Sequence, residues 1–588
     1  MNPKASAPFH LAALAAAILA PVAVSAAAEP EAIESLVPDD AIACVKFSGI
    51  GSAIDAFLAS DVRREIEALP IAQAAKWHPA WFELERRLAE FRDATGKEPL
   101  EVARALLGRE AVFAVRLGVF GPEVLAAARA RDEAALEDAV AAVRKAAERA
   151  AGRTLPGLVT AHGDPPVPIE TVEQVSFAKL GSTLVLSNSW ATVQRAIDTA
   201  RDGGRGSIAR ADGFRKALEP LPPGALATVV LRPRFLPDFR VPRAAESVPA
   251  SLLFGGWLEA LGSSEWIAAG AAASGGSLRI AISATPGSGP SDPGRSKALA
   301  AYFPEVPGDD LVQRLERRGI LAAVELQRDF AAWWELRDRL LDAAGRSQLP
   351  QISGFVSVVS GGRDLGTEIL PRLGQRLLLV ARNQEYPGAS ERPRPAIPAF
   401  AAVFEIEGGS EVPDHAAMGF QTLAGFVNLD RAQKGQDPAK VEVERTEGVE
   451  LRVLRLPASG GDAWIAANFS PSIAVAEGRL FLASSAELGR ILVEEIGKAR
   501  SAGGSTAAGD RLLLDGAALR EVLSENKEAI AAEDARKKGI SPEAAARELE
   551  QLLGVLGLVG GLRAGSRKIG DSAVFELEVR FAGGGRDR

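Results

Sequence analysis

The stretch VSFAKLGSTLVLS, residues 175–187, and its later counterpart SIAVAEGRLFLASS, residues 472–485, decide the fold. Each sets two short apolar runs on either side of a glycine-containing turn, a pattern that predicts a β-hairpin. A helical pattern follows in both places, over Trp190–Ala200 and Ala486–Ile496, directly after serine residues suited to cap a helix. Hairpins that alternate with helices favour an α+β fold with antiparallel sheets and flanking helices.

Further matching stretches flank these hairpins in the same order in both halves of the chain. Gly96 and Gly108 punctuate a helical stretch that leads into an apolar strand, and Gly362 and Gly374 repeat this arrangement with the same spacing. The later matches pair Ala225–Leu231 with Arg511–Leu514, and Ser277–Ser283 with Val574–Phe581. Because the matches are collinear, the sequence predicts two divergent copies of one α+β unit.

The predicted copies cover residues 31–290 and 300–588. Between them lies PGSGPSDPG, residues 286–294, whose proline, glycine and serine content is typical of a linker. Two related copies could leave a cleft between them.

The chain begins with a pattern typical of a secretory signal peptide. Lys4 precedes the apolar run Leu11–Val24, and small residues crowd Ser25–Ala28, where signal peptidase would cleave. We therefore expect residues 1–28 to be removed, and the mature protein to lie in the periplasm or cell envelope or to be secreted. The alternative is an uncleaved anchor, but about 14 apolar residues are fewer than the roughly 20 that span a bilayer.

Composition narrows the classes of function. The chain has 588 residues with a formal net charge of −8, and we expect no nucleic-acid partner because phosphate binding requires clustered lysine and arginine. No apolar run after the signal is long enough to span a membrane, and the longest, Leu552–Leu562, is interpreted as a buried helix end. Cys44 is the single cysteine, so no internal disulfide can form, and its place in the apolar stretch Ala41–Phe47 predicts a buried strand residue. The preceding AIA, residues 41–43, faintly resembles a lipobox, but an acidic stretch separates it from the apolar run.

Several other elements are predicted from periodicity and capping. Ser52–Ala68 and Asp132–Ala151 are expected to be amphipathic helices, and Ser541 is expected to cap a third helix. Trp266–Ala273 and Leu278–Ser283 are expected to pair as an antiparallel hairpin.

The opening LVPDDA, residues 36–41, runs into a strand, and Thr95-Gly96 leads through a helical stretch to Leu107-Gly108. In these two features the chain resembles an uncharacterised family of exported bacterial proteins that is defined by a domain of unknown function. The resemblance implies export and a duplicated α+β unit that covers most of the mature chain. It implies no catalytic residue.

Residues with reactive side chains form no recognisable constellation in the sequence. His78, His162 and His415 are scattered, and the last two are interpreted as surface-loop residues and not as zinc ligands. Asp414 and His415 are adjacent, which rarely orients an acid–base pair as a catalytic triad requires. Gly49-Ile50-Gly51 lacks the third glycine of a dinucleotide-binding loop, so it is interpreted as a tight turn from a strand to a helix. We predict no cofactor and no metal site.

The densest aromatic cluster is the candidate ligand site. Phe330, Trp333 and Trp334 follow one another at helical spacing, which is typical of a core or a domain interface but could also line an apolar pocket. Arg201–Arg210 is interpreted as a solvated basic loop, with an anion contact as the alternative.

The sequence thus favours an exported, non-enzymatic envelope protein that acts as a scaffold or binding module. The alternative is a periplasmic carrier of an apolar ligand or lipid in a cleft between the two repeats. The expected partner is accordingly an envelope protein or an apolar small molecule.

Overall fold

The computed structural model of the protein describes residues 32–68, 73, 76–236, 241, 244–274, 276–287, 292–306, 309–386, 392–407, 411–457, 463–499 and 509–582. These residues form two compact units. The first unit comprises the described residues up to 236 and those of 264–287, and the second comprises 241–263 and 292–582. The predicted signal peptide and the centre of the predicted linker lie outside the described residues.

The first unit is built on one antiparallel sheet. Its strands are β1 (Ala43–Ser48), β2 (Glu110–Gly118), β3 (Gly121–Arg129), β4 (Leu158–His162), β5 (Val167–Val172), β6 (Val175–Leu180), β7 (Thr183–Ser187), β8 (Ala227–Leu231), β9 (Ser264–Ser274) and β10 (Ser277–Pro286). Across the sheet their order is β10-β9-β8-β1-β2-β3-β7-β6-β5-β4. Every neighbouring pair is antiparallel, as the hairpin patterns in the sequence predict.

Helices cover both faces of this sheet. They are α1 (Ile50–Ala59), α2 (Asp61–Ala68), α3 (Pro79–Thr95), α4 (Pro99–Leu106), α5 (Glu133–Ala151), α6 (Trp190–Arg201) and α7 (Asp212–Leu218). The strand residues Ala126 and Ala127 point to opposite faces and therefore belong to different cores. Ala127 packs in the core with α6 and α7, whereas Ala126 packs in the core with α5.

The second unit is also built on one antiparallel sheet. Its strands are β11 (Ile320–Gln327), β12 (Leu373–Arg382), β13 (Ala399–Ile406), β14 (Lys440–Thr446), β15 (Val449–Arg455), β16 (Ser472–Ala476), β17 (Arg479–Ala483), β18 (Asp510–Asp515), β19 (Val559–Ile569) and β20 (Ser572–Phe581). Their order is β20-β19-β18-β11-β12-β13-β17-β16-β15-β14. This order is that of the first unit with every strand number raised by ten.

The helices of the second unit begin with one that precedes β9 in the chain. They are α8 (Val248–Leu261), α9 (Pro293–Tyr302), α10 (Leu311–Arg317), α11 (Phe330–Glu335), α12 (Arg337–Leu340), α13 (Ala343–Val359), α14 (Val412–Gln433), α15 (Ala463–Asn468), α16 (Ala486–Lys498), α17 (Gly516–Glu525), α18 (Lys527–Lys538) and α19 (Pro542–Leu556). The predicted first repeat, residues 31–290, includes the α8 segment, but this segment packs within the second unit.

Cross-strand pairing tests whether the matches between the two halves agree with one another. If Gly108 is aligned with Gly374, then Val112 of β2 corresponds to Leu378 of β12. Pairing across the sheets connects Val112 through β3 to Val185 of β7, and Leu378 through β13 to Phe481 of β17. Val185 and Phe481 hold the same place in the two hairpins of residues 175–187 and 472–485. The two independent matches therefore agree on one register. This agreement supports the duplication, which remains a prediction.

Most predicted elements are confirmed, with three corrections. Asp132 caps α5 through its side chain, Ser541 caps α19, and β9 pairs with β10. The predicted helical stretch between Gly362 and Gly374 consists of a π turn at Leu365–Ile369 and a 3-10 turn at Leu370–Arg372, and Gly374 lies inside β12. Ser52–Ala68 is not one helix but two, α1 and α2, which are separated at Ser60. Leu552–Leu562 is not a buried helix end, since it passes from the end of α19 into β19, and Leu552 is exposed.

The turn after β1 has the predicted form. Gly49 has a φ of 62° between β1 and α1, a conformation that glycine adopts without strain. Among the described residues, none of the helices is long and apolar enough to cross a lipid bilayer.

Candidate ligand pocket of the first unit

A cavity of about 340 Å³ lies between the sheet of the first unit and the segment that contains α7. Its floor is formed by alternate residues of β1, namely Cys44, Lys46 and Ser48, because side chains two apart in a strand share a face. Thr228 and Val230 extend this floor, since β8 pairs them with Lys46 and Cys44. We call this cavity the α7 pocket.

The roof of the α7 pocket is apolar. It consists of Phe214 and Leu218 of α7 and the following turn, with Leu221, Pro222, Pro223, Gly224 and Ala225.

Two contacts hold the roof in place. Phe214 packs edge-to-face on Trp266 of β9, with ring centroids 6.0 Å apart. Leu221 lies over Gly270, where an added Cβ would be 3.2 Å from the leucine side chain. The missing side chain of Gly270 therefore lets the roof approach the sheet.

Lys46 and Glu34 line the polar end of the α7 pocket, and ion pairs connect Lys46 to Glu110 and Glu110 to Arg129. Lys46 Nζ donates to Glu34 Oε1 at 2.7 Å and lies 3.2 Å from Glu110 Oε1. Arg129 in turn lies 3.3 Å from the second oxygen of Glu110. Burial alone would lower the pKa of Lys46, but the two carboxylates outweigh it and the pKa is raised. The lysine therefore stays protonated, and the two positive and two negative charges cancel.

Cys44 contributes a neutral thiol to this pocket. Its side chain is buried, and burial together with the nearby charge of Glu34 raises the pKa of the thiol to about 12. Because the thiolate is the nucleophilic and metal-binding form, Cys44 at neutral pH behaves as a small apolar residue. Within the described part of the chain, no group of three or more histidine, cysteine, aspartate or glutamate side chains is placed to hold a metal ion.

Hydrogen-bonding capacity remains at the polar end of the pocket. Glu34 Oε2 is buried and has no hydrogen-bond partner among the described residues. The Lys46 ammonium has three donors and meets two carboxylates, so one donor is left. A guest with an apolar body and a small head that both donates and accepts hydrogen bonds would match this arrangement.

The second unit carries charges of opposite sign at the corresponding places. Glu325 pairs with Leu378, and Lys46 pairs with Val112. Because Leu378 and Val112 are aligned, Glu325 occupies the position of Lys46. By the same alignment Arg376 replaces Glu110, and Glu405 replaces Arg129.

Three further side chains complete this inverted cluster. Asp309 bridges Arg376 and Arg479, and Glu325 lies 3.3 Å from Arg511. The cavity here is only about 10 Å³, since the arginine side chains occupy the space.

The three residues of the predicted aromatic site lie in the core of the second unit. Phe330 and Trp333 are buried, and Trp333 Nε1 donates to Ser251 Oγ at 3.1 Å. The indole of Trp334 packs against Gly366, where it leaves no room for a side chain. The structure thus gives all three a packing role, and ligand binding by them remains a prediction.

The three histidines do not meet. His78 caps α3 and His162 ends β4, where it contacts Asp198 and Gln194. The prediction that His162 and His415 lie in loops is wrong, because His162 is the last residue of β4 and His415 lies in the first turn of α14, where it contacts Arg363.

The basic segment Arg201–Arg210 is more ordered than a solvated loop. It folds into a compact turn in which Arg210 donates to the carbonyl of Gly203 and Ser207 is buried.

Sequence reasoning missed the α7 pocket. One signal was present, namely a lysine in the middle of the apolar strand ACVKFS, residues 43–48. A charged residue on the buried face of a strand requires a partner, and that partner, Glu34, lies in a 3-10 turn outside the strand.

Comparisons with known proteins carry little information for this chain. No protein-family model and no curated protein matches it. The structures of crystal forms IV and III of TP0453 align with TM-scores of 0.22 and 0.21 at 10% and 9% identity. The alignments cover 44% and 48% of this chain and 81% and 90% of the respective TP0453 chains. Scores this low support no argument about function.

Proposed function

We propose that the chain is an exported, non-enzymatic binding protein that holds a small, uncharged amphipathic molecule in the α7 pocket. The pocket itself carries the proposal. Its volume is at the lower end of the range found for small-molecule sites, and it combines an apolar roof with a few polar groups at one end. This assigns the carrier alternative of the sequence analysis to a pocket within the first unit.

The electrostatics of the pocket support an uncharged guest. Lys46, Arg129, Glu34 and Glu110 already neutralise one another. A guest with a net charge would bring an uncompensated charge into a partly buried site, which is costly. A hydroxyl or carboxamide head could instead accept from Lys46 and donate to Glu34.

The state of the reactive groups supports binding without catalysis. Lys46 is held protonated by two carboxylates, so its amine is not a nucleophile. Cys44 is held as a thiol by its raised pKa. Neither group is activated as covalent catalysis requires.

The test compares two substitutions on the same strand. Thr228→Phe places a ring in the pocket, whereas Val229→Phe places the same ring on the opposite face of β8. We expect the wild type and Val229→Phe to bind the neutral probe N-phenyl-1-naphthylamine, and Thr228→Phe to bind it at least tenfold more weakly. Fluorescence titration measures the affinities, and circular dichroism checks that both variants fold. Equal affinity of Thr228→Phe and the wild type would contradict the proposal.

A second comparison tests the charge of the guest. An anionic relative of the same probe, 8-anilinonaphthalene-1-sulfonate, should compete poorly for the pocket. Native mass spectrometry of the exported protein, followed by solvent extraction, would then identify a natural guest. If the protein without a natural guest binds neither probe, this result favours the function as a scaffold over the function as a carrier.

A further inference from the structure

The β2–β3 hairpin extends beyond its neighbours in the sheet. On one side, β1 begins at Ala43, opposite Val115, and on the other side β7 ends at Ser187, opposite Leu125. Residues 116–123 therefore continue as a two-stranded ribbon that pairs only with itself among the described strands. Three residue pairs at about 3.3 Å per residue carry the ribbon ~10 Å past the rest of the sheet.

The tip of this ribbon is apolar and fully exposed. Val119 is 92% exposed, Phe120 is 102% exposed, and Leu117 just below them is 52% exposed. Two-residue hairpin turns favour Asn-Gly or Asp-Gly, so turn formation does not explain Val-Phe. The glycines lie instead at Gly118 and Gly121, the latter with a φ of 130°. Gly121 adopts a φ that favours glycine, and the two apolar side chains between the glycines lie outermost.

The charges at the base of the ribbon are paired. Arg116 lies 2.8 Å from Asp40 and also contacts Glu123, while Arg195 lies 2.9 Å from Asp40. Burial would raise the pKa of Asp40, but hydrogen bonds from the two arginines outweigh it and the pKa is lowered. Asp40 therefore remains ionised. Asp39 also lies 3.9 Å from Arg195, so the base of the ribbon carries no excess of positive charge beside the apolar tip.

The size and shape of the tip indicate what it contacts. Aromatic side chains bury at most about 250 Å² each, so Val119 and Phe120 together offer less than ~500 Å². A stable protein interface buries at least about 1,200 Å² in total, or about 600 Å² on each partner, and needs a complementary surface. A lipid bilayer needs no complementary surface, and apolar groups of peripheral proteins enter its interface by about 5–10 Å. Asn188, which follows β7, hydrogen-bonds to Val124 N and to the carbonyl of Pro122, so the part of the hairpin free of such contacts is its tip at Val119 and Phe120, which suits a shallow insertion of this kind.

We propose that the β2–β3 hairpin inserts Val119 and Phe120 into the interface of a lipid bilayer and thereby attaches the first unit reversibly to a membrane surface. The proposal goes beyond binding of a guest and does not depend on the α7 pocket. Because the charges at the base of the ribbon are paired, attachment depends on apolar insertion and little on anionic lipid or salt.

The test exploits the inert native cysteine. Cys44 is buried and its pKa is about 12, so a cysteine introduced at Phe120 can be labelled selectively with an environment-sensitive nitrobenzoxadiazole dye. The control is Ser274→Cys, an exposed position at the end of β9 on the opposite side of the sheet. With the chain from Glu29 onward and phosphatidylcholine vesicles, we expect a several-fold rise and a blue shift of fluorescence at position 120 only. Unchanged fluorescence at position 120, or equal changes at both positions, would overturn the proposal.

A second measurement avoids the label. The double variant V119S/F120S removes the apolar groups from an exposed turn whose glycines are retained, and its fold is checked by circular dichroism. We expect its partitioning onto the same vesicles, measured by flotation, to fall about tenfold or more relative to the wild type. Partitioning equal to that of the wild type would refute the insertion. So would binding that appears only with anionic lipid and disappears in high salt.

Discussion

At the scale of single residues, one register position carries a buried charge in each sheet, and its sign differs between the units. Lys46 is neutralised by Glu34 and Glu110 in the first unit, and Glu325 is approached by Arg376 and Arg511 in the second. A buried charge is tolerated only when it is paired. The inversion therefore preserves pairing although both partners differ. The inversion also reduces the volume of the cavity at this position, because arginine side chains occupy the place in the second unit that corresponds to the α7 pocket.

Replacing Glu325 by glutamine tests the energetic role of this charge. Burial raises the pKa of Glu325 above its ordinary value of 4.5, and the surrounding arginines lower it by less. Above pH 4.5 the carboxyl group is therefore more protonated in the native state than in the unfolded state. The free energy of unfolding of the wild type consequently falls as the pH rises through that range. Glu325→Gln lacks this loss, and its free energy of unfolding relative to the wild type should rise between pH 4.5 and pH 7.

Urea titrations at several pH values measure this difference. Glu576→Gln serves as the control, since its side chain is about half exposed and forms a surface pair with Arg567. Parallel pH profiles for the wild type and Glu325→Gln would contradict the prediction.

At the scale of elements, the packing of α8 depends on two glycines. Gly255 and Gly256 face Tyr302 at the end of α9, and a Cβ at position 256 would lie 2.6 Å from the tyrosine Cβ. Tyr302 itself is buried, and its hydroxyl donates to the carbonyl of Ser251 at 2.9 Å. The helix therefore approaches its neighbour more closely than any residue with a side chain would allow.

Matched glycine-to-alanine substitutions test this contact. In a helix interior, alanine is intrinsically favoured over glycine by about 1 kcal/mol. Gly354→Ala in α13 meets nothing within 4 Å, so it should stabilise the protein by about that amount. Gly256→Ala should destabilise it by about 1–3 kcal/mol, because the added methyl group overpacks the interface with Tyr302. Urea denaturation measures both, and equal effects would rule out the close approach.

At the scale of the whole molecule, the second unit is completed by a segment that lies between β8 and β9 in the chain. Arg328 is buried and donates to the carbonyl of Leu252 in α8, to the carbonyl of Tyr302 and to both oxygens of Asp510. Ser251 of α8 accepts from Trp333. The second compact unit therefore includes residues 241–263, which precede the predicted boundary at residues 286–294.

Expression of the second unit with and without this segment tests its contribution. Residues 292–588 alone lack α8, which leaves Arg328 without one acceptor and exposes the apolar residues around Trp333. We expect this fragment to unfold at a lower urea concentration than the same fragment preceded by residues 241–263 and a flexible linker. Binding of a hydrophobic dye should be stronger in the shorter fragment. Identical unfolding midpoints would show that α8 is dispensable.

Local signals determined much of the secondary structure of this protein. Turn glycines, capping residues such as Ser541, and the periodicity of Asp132–Ala151 act within a few residues, so the sequence was sufficient to predict hairpins, helices and the α+β class. Matches between the two halves also predicted which strands correspond, and the shared strand order supports that prediction. Where local signals compete, as at Ser60 within the predicted helix Ser52–Ala68, the boundaries were wrong.

Only the tertiary structure decided the α7 pocket, the exposure of the hairpin tip and the place of α8. Lys46 and Thr228 are far apart in the chain and meet because β1 pairs with β8. Phe120 differs from a core phenylalanine only because its neighbouring strands end before it. Apolar character in the sequence does not distinguish a buried residue from an exposed one, since burial depends on contacts between distant segments. Phe330, Trp333 and Trp334 are close together in the sequence, so they could be identified from it as a cluster. The residues of the α7 pocket come from distant segments and could not.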